Sequence, residues 1–387
     1  MRSRRMQFDS AANLLSAAVA KARAAELPLI DLTHSNPTTA GLPRVSGLIT
    51  PLGEARGCAY EPAPFGVTSA RAAVAAHLET RGLVVDADRI VLTASTSEAY
   101  AWLFTLLCDP GDSVAVPAPS YPLLDHIARL VGVETRPYRL EWEGRWRVDP
   151  DSLATAVGPG CRAIVTVNPN NPTGQMISAA DLAVLAAPGL PLIGDEVFAD
   201  CPLETHTDAV ASVLACLEVP VFALGGLSKS AGLPQLKLAW IAAGGPEAVV
   251  NDLLEGLEWI ADTFLSVATP VQLALPHLIA ASASTRLSIR ARCCDNLAFL
   301  RERTADSAIS VPRVEGGWSA CLRLPRLQSD EAWALELVER DGVIVHPGWF
   351  YDFAGEGWLV VSLIAEPSGF REGVERLVAR VATRAAG

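Results

Sequence analysis

Between Ile90 and Ala243, short apolar runs of strand length alternate with helical patterns, and this alternation restricts the fold more than any other feature of the chain. The runs are Ile90–Thr93, Val114–Pro117, Glu134–Arg139, Ala163–Asn168, Pro191–Asp195, Val221–Leu224 and Leu238–Ala242. Strands separated by helices predict an α/β fold, with a mostly parallel seven-stranded sheet covered on both faces. At 387 residues, half of them hydrophobic, the chain can bury two cores. The expected division is a large domain over 45–260 and a smaller α+β domain made of 1–44 and 261–387. A helical stretch through Leu253, Leu257 and Ile260, then a helix running past Arg290 towards Leu300, connects the two. Gly316-Gly317 and His346-Pro347-Gly348 mark turns between the short strands of the smaller part.

Open α/β sheets bind ligands beyond the carboxyl ends of their strands, and chemically capable residues gather there. Asp195 ends one apolar run, Asn171-Pro172-Thr173-Gly174 follows another, and Lys229 lies in Gly225-Gly226-Leu227-Ser228-Lys229-Ser230 after a third. An aldehyde cofactor with a pyridine ring needs an amine to hold it as a Schiff base, and a lysine serves once desolvated and deprotonated. It needs a carboxylate that keeps the ring nitrogen protonated, so that the ring accepts electrons. It also gains from an amide donor beside the ring hydroxyl. Lys229, Asp195 and Asn171 can fill these places in turn. Singly, each reads as a solvated lysine, a helix-capping acid and a turn asparagine; their joint order shifts the reading towards cofactor chemistry. Ser95, Thr96 and Ser97 open an apolar helix straight after Ile90–Thr93, and a helix amino terminus with unpaired N–H groups suits a phosphate.

On these residues the chain resembles the class I/II aminotransferase family, fold type I pyridoxal phosphate enzymes, over nearly its whole length. The resemblance implies pyridoxal 5'-phosphate as cofactor, with Lys229 as Schiff-base lysine and general base and Asp195 facing the ring nitrogen. It implies Asn171 beside the ring hydroxyl, and Ser95, Thr96, Ser97 and Ser228 around the phosphate. Tyr121, in Pro119-Ser120-Tyr121-Pro122, matches the aromatic residue stacked on the pyridine face. Tyr60 resembles the tyrosine that reaches the phosphate of the neighbouring subunit, which implies a homodimer with shared active sites.

Departures from the family pattern are as informative. Gly226 stands where the family has a serine, and Lys237 replaces the phosphate-gripping arginine, giving a point charge without a bidentate fork. Phe198 replaces a tyrosine whose hydroxyl reaches the ring oxygen. Losing that donor predicts that the Schiff base of Lys229 keeps its proton to higher pH. In Gly357-Trp358-Leu359-Val360-Val361-Ser362, Val360 occupies the place of the arginine that clamps the substrate carboxylate. Three explanations compete: an offset match, although the closest arginines are Arg340 and Arg371; a replacement cation, with Arg323 the candidate; or a substrate without an alpha-carboxylate. His346 reads as structural, and Trp318, Trp349 and Tyr351 hint at an aromatic-lined face.

The implied activity is amino-group transfer from an amino acid or related amine to a 2-oxo acid. A lyase, decarboxylase or cyclising synthase, or a non-catalytic cofactor-binding protein, remains open on the same constellation. A formal net charge of −12 argues against nucleic acid or an anionic membrane as partner. The basic start lacks the apolar core of a signal peptide, and no run approaches a membrane span, so a cytoplasmic protein is expected. The eight cysteines, Cys293 and Cys294 adjacent among them, form no Cys-x-x-Cys pair and no ligand-like spacing with the six histidines. Neither metal nor disulfides are expected.

Overall fold

The computed structural model describes residues 3–6, 13–43, 45–204 and 206–385. Its strands, in chain order, are β1 (Ile30–Asp31), β2 (Ile90–Thr93), β3 (Ser113–Ala118), β4 (Glu134–Trp142), β5 (Trp146–Val148), β6 (Cys161–Val167) and β7 (Leu192–Asp195). They continue as β8 (Val221–Gly226), β9 (Ala239–Gly244), β10 (Ser319–Arg323), β11 (Val343–Ile344), β12 (His346–Pro347) and β13 (Trp358–Ser362).

Strands β2 to β9 form one sheet in the order β2-β9-β8-β7-β6-β3-β4-β5. From β8 to β4 all neighbours are parallel. β9 runs antiparallel to β8, and β2 to β9. With successive side chains entering two covered faces, the central strands are apolar throughout, whereas β4 towards the edge alternates, Tyr138 and Leu140 buried and Arg139 and Glu141 exposed. In β8, Val221 and Ala223 enter one buried cluster while Phe222 and Leu224 enter another on the opposite face. In β2, Ile90 and Leu92 divide from Val91 in the same way. All seven sequence-expected strands are present, but the described sheet has eight. The addition is β5, which folds back antiparallel on β4 with Trp142 opposite Trp146. Its turn uses Gly144 at φ +77°, a conformation glycine adopts without steric cost. The signal was visible as Glu-Gly between two tryptophans, but three residues are too few to stand out as an apolar run.

A second, antiparallel sheet has the order β10-β13-β12, and β1 pairs in parallel with β11. Behind the second sheet lies a third buried cluster. It joins Ile289, Cys293, Leu297 and Leu300 of the helix Ala283–Thr304 to Leu359 and Val361 of β13 and to Phe370, Val374 and Leu377 of the helix Pro367–Ala385. Three backbone bonds draw the two sheets and the amino-terminal segment around a common space. Ser362 N–H donates to Leu32 O at 2.6 Å, Leu363 N–H to Trp318 O at 2.7 Å, and Ser120 N–H to Tyr351 O at 3.0 Å.

Candidate active site

The common space is a cavity of about 610 Å³ at the carboxyl ends of the parallel strands, closed on its other side by the small sheet and residues 33–35. Each sequence-expected site residue except Tyr60 lines it: Ser95, Thr96, Ser97, Tyr121, Asn171, Asp195, Phe198, Ser228, Lys229 and Lys237. Tyr60 is 76% exposed and stands outside the cavity of its own chain.

Local sequence explains why these groups converge. β7 ends at Asp195, and the neighbouring β8 runs into the short helix Leu227–Ser230 that carries Lys229. β8 and β9 approach closely at Gly225 and Gly226. A Cβ on Gly226 would lie 2.9 Å from Ala239 Cβ, and one on Gly225 2.5 Å from the Trp240 ring. The glycine in place of the family serine is therefore a packing requirement here. Lys237 reaches the cavity from a left-handed backbone position, φ +50°.

Asp195 and Lys229 bias one another. Burial pushes the Asp195 carboxyl up, against the lowering effects of the Val197 N–H, the Tyr100 hydroxyl and Lys229. Burial pushes the Lys229 ammonium down, against the attraction of Asp195. Lys229 Nζ lies 5.0 Å from the Trp318 ring centroid and 5.6 Å from that of Phe198, and these rings form an edge-to-face pair. This apolar setting favours a neutral amine, the nucleophilic form.

Sequence reading missed Tyr100. Its buried hydroxyl donates to Asp195 Oδ2 at 3.1 Å, while Val197 N–H donates to Oδ1 at 3.2 Å. Burial holds the phenol well above its usual range, so it remains a donor. The signal was helical spacing. Tyr100 lies one turn after Thr96 in the helix Thr96–Leu107, on a face that turns towards the strand ends. Ser95 caps that helix, accepting from Glu98 N–H at 3.2 Å. The Glu98 side chain accepts in turn from Ala94 N–H and the Ser266 hydroxyl, both at 2.6 Å. Ser319 was missed as well, and its hydroxyl donates to Asn171 Oδ1 at 3.3 Å, which leaves the amide NH₂ of Asn171 to donate into the cavity.

On the opposite wall, Val360 faces the cavity. Arg323 does not replace the expected arginine, because it is exposed, is not among the residues lining the cavity and lies over the Trp358 ring at 5.5 Å. Nor is the match offset: Arg340 pairs with Glu336 and Arg371 lies over Phe299. His346, Phe350, Tyr351 and Trp318 line the wall, whereas Trp349 turns outwards.

The residues present fit pyridoxal 5'-phosphate. An open helix end with three hydroxyl residues and Lys237 suit a dianionic phosphate, and a desolvated amine stands beside a carboxylate held in place by two donors. A fold and site of this kind suit the class of α/β proteins that hold a phosphorylated aldehyde at their strand ends. The chain belongs to the class I and II aminotransferases, whose family pattern, Aminotransferase class I and II, matches residues 28–381; this family depends on pyridoxal phosphate.

Nicotianamine aminotransferase 1 of Oryza sativa subsp. japonica is 27% identical over 341 residues, covering 82% of this chain and 66% of the relative. The S-alkyl-thiohydroximate lyase SUR1 of Arabidopsis thaliana is 26% identical over 339 residues, covering 83% and 72%. Other curated relatives are matched over as little as 49% of their length. An alanine aminotransferase structure from Pyrococcus furiosus superposes with a TM-score of 0.87 at 22% identity, covering 99% of this chain and all of the other, and thus shares the fold.

Proposed function

We propose that this chain is a pyridoxal 5'-phosphate-dependent aminotransferase that moves an amino group from a primary amine to a 2-oxo acid. The observation that carries the reading is the meeting of Lys229 and Asp195 at adjacent strand ends, beside the open end of the helix Thr96–Leu107. Ser95, Thr96, Ser97, Ser228 and Lys237 would hold the phosphate, Tyr121 would stack on the ring, and Asn171 would donate to the ring hydroxyl. When bound there, the cofactor supplies an aldehyde that takes up an amine and a ring that accepts the electron pair of a bond broken at the adjacent carbon.

The protein's own groups do the rest. Asp195 holds a proton on the ring nitrogen, and Tyr100 and Val197 N–H fix the carboxylate in that task. Lys229 Nζ, whose ammonium is pushed down by burial, would remove the proton from the carbon bearing the donor nitrogen and return it on the far side of the exchange. Phe198 and Trp318 shield Nζ from water.

Tyr60, exposed on its own chain, would complete a phosphate site across a homodimer. Eight unpaired thiols suit a reducing cytoplasm, the proposed location. A lyase is the second reading, favoured by the valine at 360, which leaves the orientation of the scissile bond unfixed, and by a lyase among the relatives. One experiment separates them. Absorption spectra of the loaded protein are recorded with a panel of amines and amino acids. Loss of the aldehyde form, reversed by an oxo acid, supports transamination; released ammonia or carbon dioxide would sink it.

A further inference from the structure

Resting on that reading, we infer that the amino donor carries no free alpha-carboxylate, and that His346 and Ser362 bind an uncharged oxygen function, an alcohol or an amide, in its place. The geometry lies around Val360. Val360 pairs across β13 with His346 on one side and Cys321 on the other, and Ser362 pairs with Ser319. Ser362 is two residues beyond Val360 and so shares its face. Val360, Ser362, Ser319 and His346 all line the cavity.

This wall is neutral. The only cations among the described lining residues are Lys229 and Lys237, both from the large-sheet side and both with cofactor tasks. A carboxylate pressed against Val360 would give up its hydration without gaining a countercharge. An uncharged oxygen would find partners there. Ser362 is 5% exposed, and its buried hydroxyl has no hydrogen-bond partner within the described fold; a hydroxyl in that condition is one a ligand can satisfy. His346 Nδ1 and the Tyr351 hydroxyl are 2.9 Å apart, and the ring stacks on Phe350 at 5.0 Å. With the phenol donating to Nδ1, Nε2 carries the proton and is left as a donor. Burial keeps the imidazole neutral despite Asp31 nearby.

The test compares matched donors with the cofactor-loaded, full-length enzyme: alanine with alaninol and alaninamide, and phenylalanine with phenylalaninol and phenylalaninamide. Each is followed by single-turnover absorbance and, separately, by calorimetric binding. The expected result is kcat/KM and affinity for the alcohol or amide at least roughly tenfold above the parent acid. Ser362→Ala and His346→Phe should raise KM for the uncharged donors more than they lower kcat, narrowing the preference. Val360→Arg, if it folds, should reverse it. Acids reacting faster than their alcohols and amides would overturn the inference and leave the aminotransferase reading standing. No reaction with any member of the set would remove that reading and the inference together.

Discussion

The two walls of the cavity differ in kind. The large-sheet wall carries Lys237 together with Lys229, Asp195 and Tyr100, of which Asp195 biases the other two, beside strand ends locked by close packing. The small-sheet wall carries a valine, serines, a neutral histidine and aromatic rings, with no described cation. On the proposed function, one wall would specify a chemistry and the other a clientele. Substitutions on the first should damage every donor alike, and substitutions on the second should reorder donors.

The largest effect is expected from Lys229→Ala. Without the proton-moving amine, turnover should fall by roughly 10²–10⁴ for acids, alcohols and amides alike. A donor-dependent loss in stopped-flow assays would break the contrast between the walls. Asp195→Asn removes the charge proposed to keep the ring nitrogen protonated and should cost on the order of a hundredfold in kcat, again uniformly. Gly226→Ser tests the packing of this wall. The new Cβ meets Ala239, so the denaturation midpoint should drop in line with a loss of about 1–3 kcal/mol, whatever extra phosphate contact the hydroxyl makes.

Tyr100 is a positioning residue, and its removal should be milder. Tyr100→Phe should lower kcat about tenfold and move the acid limb of the pH profile upwards. The sign follows from the hydroxyl, which stabilises the charged carboxylate and so opposes the upward push of burial. Without it Asp195 protonates at higher pH, and activity is lost sooner on acidification. An unmoved acid limb would rule out this role. The smallest effect is expected from Phe198→Tyr, which restores a donor near the ring oxygen. The protonated visible band of the loaded enzyme should then titrate lower by roughly one pH unit.

Legibility in the sequence followed the same boundary. The central strands were readable because two buried faces leave uninterrupted apolar runs, and Lys229, Asp195 and Asn171 were readable because each closes or closely follows one. β5 escaped because an edge strand of three residues has no such run. Tyr100 escaped because a tyrosine inside an apolar helix gives no sign of whether its hydroxyl meets a carboxylate, which depends on two elements 95 residues apart. The small-sheet wall was the least readable. Val360 could be noticed as a departure, but the idle hydroxyl of Ser362 and the imidazole of His346 gain meaning only through strand pairing across β12 and β13.

The bond from Ser362 to Leu32 and the pairing of β1 with β11 have a consequence for the order of synthesis. All eight strands of the large sheet are available once residue 244 has left the ribosome, and Lys229 and Asp195 with them. The opposing wall must wait for β10 to β13, while residues 30–35, made before the large sheet, wait for the same late partners. During that interval the nascent protein has its amine without a lid, and the enclosure is finished only when β11 and β13 capture the segment made before the large sheet.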